Sequence, residues 1–447
     1  MNWGSLGSPP GNGRPDEGGD VPDLKSIISL GVFVVSYVLF IILPKYRTFV
    51  AAGGVVVLLA TLSISPLHAF ISINWNVMGI FIGTLFVADV FIESRVPAFL
   101  AEKIVSRSKS VKWAVLFICA LVSFISAFVE NVAAVLIVAP IAFALAEKLK
   151  IDPVKLIIGI AICSNLQGTA TLIGDPPSML LGGYAKMNFI DFFFFHGRPS
   201  IFFAVEIGAL ASFIVLYFFF RKNRQAVSAV PVEKVKSWTP TFILVGLVVA
   251  LGFSSFIDTG FSFAAGILCM AAGMISLVWK LVRREGKFFS TLKSLDWDTA
   301  GFLAGVFILV GSLTEAGWID RIADGLAHVV GGQLFMGFAL IVLCSVLFSA
   351  FVDNVPYLAA MLPVTASLAS RMGLSDPTVL MFGLLIGASL GGNITPIGAS
   401  ANIVAVGLLK KRGYVTRFGE FVRMGLPFTI AATLVGALFV WLFWGIQ

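Results

Sequence analysis

The sequence predicts an all-α membrane protein with about ten transmembrane spans in two inverted repeats, each repeat carrying a re-entrant helical hairpin and a discontinuous helix. Three observations lead there: bulk composition, apolar runs of spanning length, and internal self-similarity. Of 447 residues, 58% are apolar and 12% charged, against roughly 45–50% and about 25% in soluble domains. A soluble fold has no interior large enough for that much apolar surface.

Crossing the hydrocarbon core takes roughly 20 apolar residues, and such segments fall near 26–44, 49–66, 75–92, 155–185, 201–220, 239–257, 261–279, 298–316, 377–409 and 425–445. Two more apolar stretches, 113–146 and 333–370, carry Glu130-Asn131 and Asp353-Asn354 at their middles and read as hairpins that enter and leave on one side. Most of the 31 Lys and Arg then sort to one face, leaving Arg14, Lys25, Lys186, Arg198, Arg321 and Arg371 on the other. The positive-inside tendency makes the richer face cytoplasmic. It places the chain in the plasma (inner) membrane with both termini outside. Residues 1–24, rich in Gly, Pro and acidic side chains, read as a disordered tail. The first repeat spans 25–220, a cytoplasmic linker 221–238, and the second repeat 239–447.

Self-similarity is the strongest signal. Ser126-Ala127-Phe128-Val129-Glu130-Asn131-Val132 matches Ser349-Ala350-Phe351-Val352-Asp353-Asn354-Val355 at an offset of 223, and Pro140 falls on Pro363. Gly168-x-x-Thr171-x-Ile173-Gly174 matches Gly392-x-x-Thr395-x-Ile397-Gly398 at 224, and Trp75 and Glu93 fall on Trp297 and Glu315 at 222. Each half holds five crossings and five is odd, so the second copy is inserted upside down. Inverted repeats build alternating access around a site at their interface.

The chemistry sits where these motifs interrupt apolar helices, over 165–178 and 389–402. Proline lacks the amide and glycine weakens the helix, so backbone groups are freed. At membrane depth such backbone is tolerated only inside protein or beside a wet cavity. The side chains there are neutral: Asn165, Thr169 and Thr171 in the first break, Asn393, Thr395, Ser400 and Asn402 in the second. Asp175 is the acidic exception, with Ala399 at the equivalent position, and it doubles as an N-cap for a half-helix starting at Pro176-Pro177. At the hairpin tips, Glu130 and Asp353 are ionisable groups in apolar stretches, which marks them as functional candidates, with Asn131 and Asn354 beside them. The same set could ligate Na⁺; no other metal or cofactor is suggested. Asp89 and Glu93 belong to a span end, and Glu206 reads as a snorkelling residue at a helix end. The four cysteines lack CxxC or Cys/His spacing and read as small apolar fillers.

On SAFVENV and SAFVDNV, NLQGTATLIGDPPSM, and GASLGGNITPIGASANIVAVGLLKKRGY followed by FGEFVRMGLP, the chain resembles the arsenite/antimonite permease and P protein branch of the ion transporter superfamily. The resemblance covers about 75–190 and 297–430. It implies two re-entrant hairpins and two unwound helices framing the site. Relatives in that superfamily include Na⁺/H⁺ antiporters and sodium-coupled carboxylate carriers, whose Ser-Asn-Thr hairpin signature is absent here.

The expected function is therefore secondary transport of a small inorganic or organic solute with H⁺ or Na⁺, first among the options arsenite or antimonite efflux by proton antiport. The alternatives are Na⁺/H⁺ antiport and sodium-coupled di- or tricarboxylate uptake. An intramembrane aspartyl protease would need GxGD, and Leu172-Ile173-Gly174-Asp175 lacks the first glycine. A primary pump would need a nucleotide site, and G-x-x-x-x-G-K-[ST] does not occur. A separate ATPase subunit could still associate at the cytoplasmic loops. The basic residues lie in short clusters between apolar runs, the pattern of membrane orientation rather than of nucleic-acid binding. The oligomeric state is left open.

Overall fold

The computed structural model describes residues 23–149, 151–226, 234–283, 291–293 and 295–446. Residues 1–22 of the N-terminal tail and 227–233 of the linker lie outside the described residues. The chain opens with α1 (Leu24–Ile42), α2 (Arg47–Ala60) and a short α3 (Pro66–Ser72). Then come α4 (Trp75–Glu93), α5 (Val96–Arg107), α6 (Val111–Ser126), α7 (Asn131–Leu149), α8 (Val154–Gly168), α9 (Pro176–Ala185) and α10 (Ile201–Phe220). The second half runs α11 (Thr239–Ser254), α12 (Ala264–Val282), α13 (Trp297–Glu315), α14 (Trp318–Val330), α15 (Leu334–Ser349), α16 (Asn354–Arg371), α17 (Thr378–Gly391), α18 (Ser400–Lys411) and α19 (Phe418–Val440). A single two-residue pairing, Phe194–Phe195 with Arg198–Pro199, is the strand content of the described residues.

Local chemistry sets the helix starts. Asp23, Ser65, Asn74, Asp175 and Asp296 each accept a hydrogen bond from the backbone N–H three residues on, satisfying one of the orphan donors of a first turn. Proline follows at the first or second position of α3, α5, α9 and α11, where its missing amide costs nothing.

The described residues contain seven helices long and apolar enough to cross a membrane, or eight if α14 and α15, bent by 117°, count as one span. Six of the ten expected segments are among the seven, the seventh being α7 of the first hairpin; α11, over 239–257, is only 16 residues long, and two others, 155–185 and 377–409, are broken into α8 plus α9 and α17 plus α18. A fourth, 49–66, stops at Ala60 and continues as α3, while the last starts at Phe418, ahead of the expected 425. The sequence reading also passed over α5 and α14, which are short and carry charge. α14 is buried along Ile319, Ala323 and Val330 only, the narrow stripe of a helix lying at a boundary.

The halves interleave rather than sitting side by side. α4 of the first half packs along α12 of the second, and α13 packs along α2; α10 and α19 pack on each other. Close approach makes this possible: a Cβ at Gly83 would lie 2.2 Å from the carbonyl carbon of Cys269. Small residues at helix crossings are how dispersion replaces the hydrophobic effect as the driving force in lipid. Phe242, Val245, Val249 and Phe253 form an exposed apolar stripe on α11, as lipid contact requires. Cys119, Cys163 and Cys269 are buried and Cys344 half-buried, all free.

Candidate transport site between the two broken helices

Two hairpins and two breaks are assembled by the same bonds in each half. In the first, α6 and α7 form the hairpin with Glu130 at its tip; Ser126 Oγ donates to the Ser164 carbonyl at 2.8 Å and the Thr171 hydroxyl donates to the Ala127 carbonyl. In the second, α15 and α16 form the hairpin, the Ser349 hydroxyl donates to the Ala388 carbonyl, and the Thr395 hydroxyl donates to the Ala350 carbonyl. Thr171 and Thr395 thus tie each break to its hairpin. Each break is also folded back on itself: a Cβ on Gly174 would lie 2.3 Å from the Gly168 carbonyl oxygen, and one on Gly398 would lie 2.7 Å from that of Gly392. Only glycine permits that return.

The breaks are shorter than the sequence suggested. Helix α8 runs to Gly168, so Asn165 is helical, and the irregular stretch is 169–175; in the second half a 3₁₀ turn over Gly392–Ile394 leaves only 395–399 irregular. Freed carbonyls are met by side chains of the following half-helix. Ser178 Oγ donates to the Thr169 carbonyl at 3.1 Å, and its repeat counterpart Asn402 donates to Gly392 and Thr395 carbonyls at 2.9 and 3.0 Å.

At the centre an amide chain joins the halves. Asn131 Nδ2 donates to Asn165 Oδ1 at 3.2 Å; Asn165 Nδ2 donates in turn to the Ser389 carbonyl at 2.9 Å and to Asn393 Oδ1 at 3.1 Å. Around it lie buried polar atoms with no partner among the described residues: Thr169 Oγ1, Asp175 Oδ2, Ser389 Oγ, Asn393 Nδ2 and Asn402 Oδ1. All five side chains are at most 1% exposed. An unmet buried polar atom costs about 1–3 kcal/mol, so these five atoms are candidates to be met by a polar ligand or water. Acceptors and hydroxyls dominate, and Lys and Arg are absent from the five. Asp175 fills both sequence expectations: its Oδ1 accepts from Ser178 N at 3.1 Å as an N-cap, and its Oδ2 is left over. Asn354 is buried at its tip and Ser400 half-buried at the start of α18.

The tips are less alike. Glu130 accepts from its own Ala133 N at 2.9 Å, and the other groups acting on it include the Asp296 and Asp175 carboxylates. Asp353 likewise caps its own helix, Oδ1 accepting from Val355 N at 3.0 Å, but its Oδ2 also takes a charged donor that the sequence does not point to, because it lies outside every site segment: Arg47 Nη1, at 2.8 Å. One correction and one addition follow for acidic residues. Glu206 does not snorkel; its Oε1 accepts from Gln167 Nε2 at 2.9 Å on α8. Asp89 and Glu93, which the sequence places only at a span end, both hold Lys280 Nζ at 2.8 Å, tying α4 to α12. Across the described residues no group of three or more His, Cys, Asp or Glu is placed to hold a metal ion.

The pattern of the citrate transporter family (CitMHS) matches the chain over residues 37–284 and again over 262–446. The chain belongs to this family. It is a multi-pass membrane transporter. Other members of its kin are close in length: an uncharacterized transporter of Mycobacterium tuberculosis is 30% identical over 428 residues, covering 93% of this chain and 98% of the relative. The P protein resemblance is borne out, with the Mus musculus P protein 26% identical over 90% of this chain and 58% of that protein. In fold the chain is similar to the YdaH transporter of Alcanivorax borkumensis (TM-score 0.60, 15% identity, 94% and 98% of the two chains). It is also similar to Neisseria gonorrhoeae MtrF (TM-score 0.54, 13% identity, 96% and 97%).

Proposed function

We propose that this CitMHS-family transporter is a secondary carrier working by alternating access, with its solute held between the two breaks and its coupling protons carried by Glu130, Asp353 and Asp175. The solute proposed is arsenite or antimonite, exported against proton entry. One observation carries this reading: the unpartnered atoms of Thr169, Asp175, Ser389, Asn393 and Asn402 surround the joint of the two repeats without a Lys or Arg among them. Arsenite at neutral pH is an uncharged trihydroxide, whose hydroxyls donate and accept as such a site requires. A fixed positive charge is not needed, and half-helix starts at Pro176 and Ser400 add only a partial one. In this reading both termini lie outside the plasma membrane and the basic linker 221–238 lies in the cytoplasm.

A second reading is favoured by the family description as citrate transporters. A di- or tricarboxylate would enter with Na⁺, the cation sharing the neutral oxygens and the carboxylate of Asp175. Na⁺/H⁺ antiport would use the same ligands with no organic solute. Everted vesicles loaded through an imposed proton gradient separate these: proton-driven arsenite uptake that falls at least tenfold in Glu130→Gln supports the proposal, and uptake unchanged in that variant removes Glu130 from coupling.

A further inference from the structure

The two hairpin carboxylates occupy matched positions in the repeats but meet different partners. Asp353 Oδ2 accepts from Arg47 Nη1 at 2.8 Å, and Arg47 is held there by the rest of its guanidinium: Nη2 donates to Thr299 Oγ1 at 2.8 Å, Nε lies 3.6 Å from Asp298 Oδ2, and the group stacks 4.9 Å over the Phe302 ring. Arg47 begins α2, and Asp298, Thr299 and Phe302 belong to the first turns of α13. The pair therefore bridges the tip of a hairpin to two helices that pack on each other outside it. Both side chains are about one-fifth exposed, 18% and 21%, partly screened from water and within reach of a proton.

We infer that Arg47 is the internal cation of the coupling cycle, latching the second hairpin to α2 and α13 through Asp353 until a proton takes its place on that carboxylate. The step balances without any other reactant: a proton binds Asp353 Oδ2, the guanidinium stays charged, and the pair changes from net zero to net plus one. Arg47 is not left stranded, because Asp298, Thr299 and Phe302 keep it. Near its tip the hairpin keeps a neutral tie, Tyr37 Oη of α1 donating to the Pro356 carbonyl at 2.6 Å, while its far end stays anchored to α14 through Arg371 Nε, 3.0 Å from Asp324 Oδ1. The other charged groups near this end of α16 are Asp296 and Asp298 at the start of α13, Asp175 at the head of α9, which packs on α16, and Glu130 of the first hairpin tip, on which Asp296 and Asp175 both act. All are acidic, and among the described residues Arg47 is the cation seen bonded to the tip carboxylate. A guanidinium does not deprotonate in proteins, which leaves the carboxylate as the titrating partner. The inference rests on the proposed role of Asp353 in coupling, not on the identity of the solute.

The test reads hairpin motion without any solute. A reporter cysteine, Val352→Cys, is placed beside Asp353 with Cys344→Ser, the remaining Cys119, Cys163 and Cys269 being buried. It is labelled with a membrane-impermeant maleimide in vesicles at about pH 7 and about pH 4, the lower near the ordinary aspartate pKa, with each rate taken relative to that of a free thiol at the same pH because only thiolate reacts. Labelling is expected to rise several-fold on acidification, to stay high at both pH values in Arg47→Gln and in Asp353→Asn, and to keep its pH switch in Arg47→Lys. If Arg47→Gln folds poorly, the Asp353→Asn and Arg47→Lys arms decide alone. Arg47→Gln labelling that follows the unmodified curve, or Asp353→Asn labelling that stays low, overturns the latch. An intact labelling switch with no arsenite flux would refute the solute assignment only, so the two failures are distinct.

Discussion

Asn165 Nδ2 donates to Asn393 Oδ1 at 3.1 Å, so a side chain of one broken helix is bonded to a side chain of its inverted counterpart. Asn165 also accepts from Asn131, which makes it the link between the first hairpin and the second break. Asn165→Ala would leave partners buried and unmet, at about 1–3 kcal/mol, or roughly tenfold in solute affinity. Asn393→Ala should weaken transport similarly, and the double variant should lose less than the product of the two, since residues in direct contact couple by about 0.5–3 kcal/mol. Strictly multiplicative losses in solute titrations would show that the bond does not serve the site.

The folded-back breaks should reject any side chain. Gly174→Ala and Gly398→Ala each drive a methyl against a carbonyl oxygen, 2.3 and 2.7 Å away in the present geometry, and overpacking of this kind costs about 1–3 kcal/mol. Gly246 on α11, with nothing within 4 Å of a built Cβ, is the control. Thermal unfolding in detergent should show lowered Tm for the first two and no loss for Gly246→Ala; equal effects at all three would remove the steric argument.

Lys280 is 3% exposed and holds two carboxylates, Asp89 and Glu93. Lys280→Met strands both. A broken buried pair costs about 3–5 kcal/mol; the 22% and 36% exposure of the carboxylates here puts the expected loss below that range. Adding Asp89→Asn and Glu93→Gln should recover most of the lost Tm. A triple variant no better than Lys280→Met would mean the lysine acts by packing rather than charge.

Single cysteines at Lys109, Lys150, Lys234 and Lys411 should be labelled only from the cytoplasm, and one at Lys186 only from outside. Opposite labelling of Lys150 and Lys234 would break the inverted arrangement.

Much of this was readable from residue order. The matched hairpin tips, the paired Gly-x-x-Thr-x-Ile-Gly breaks and the N-cap at Asp175 are local patterns, and local patterns are set by backbone freedom and capping. Arg47 was not readable, because the contact joins residues separated by more than 300 positions through a fold in which α2 is a neighbour of α13. Glu206 and Lys280 were missed for the same reason: each is charged at a span end, and only helix packing decides whether such a group turns to water or inward. The helices α5 and α14 escaped because short segments carrying charge look like loops when only spanning length is scored.

The most direct test of the account uses purified protein in liposomes with an imposed proton gradient, and measures arsenite, citrate and succinate flux side by side, with and without Na⁺. The account predicts proton-driven arsenite movement, independent of Na⁺ and reduced about tenfold or more in Asn393→Ala. Sodium-dependent citrate or succinate uptake, with no arsenite flux, would contradict it.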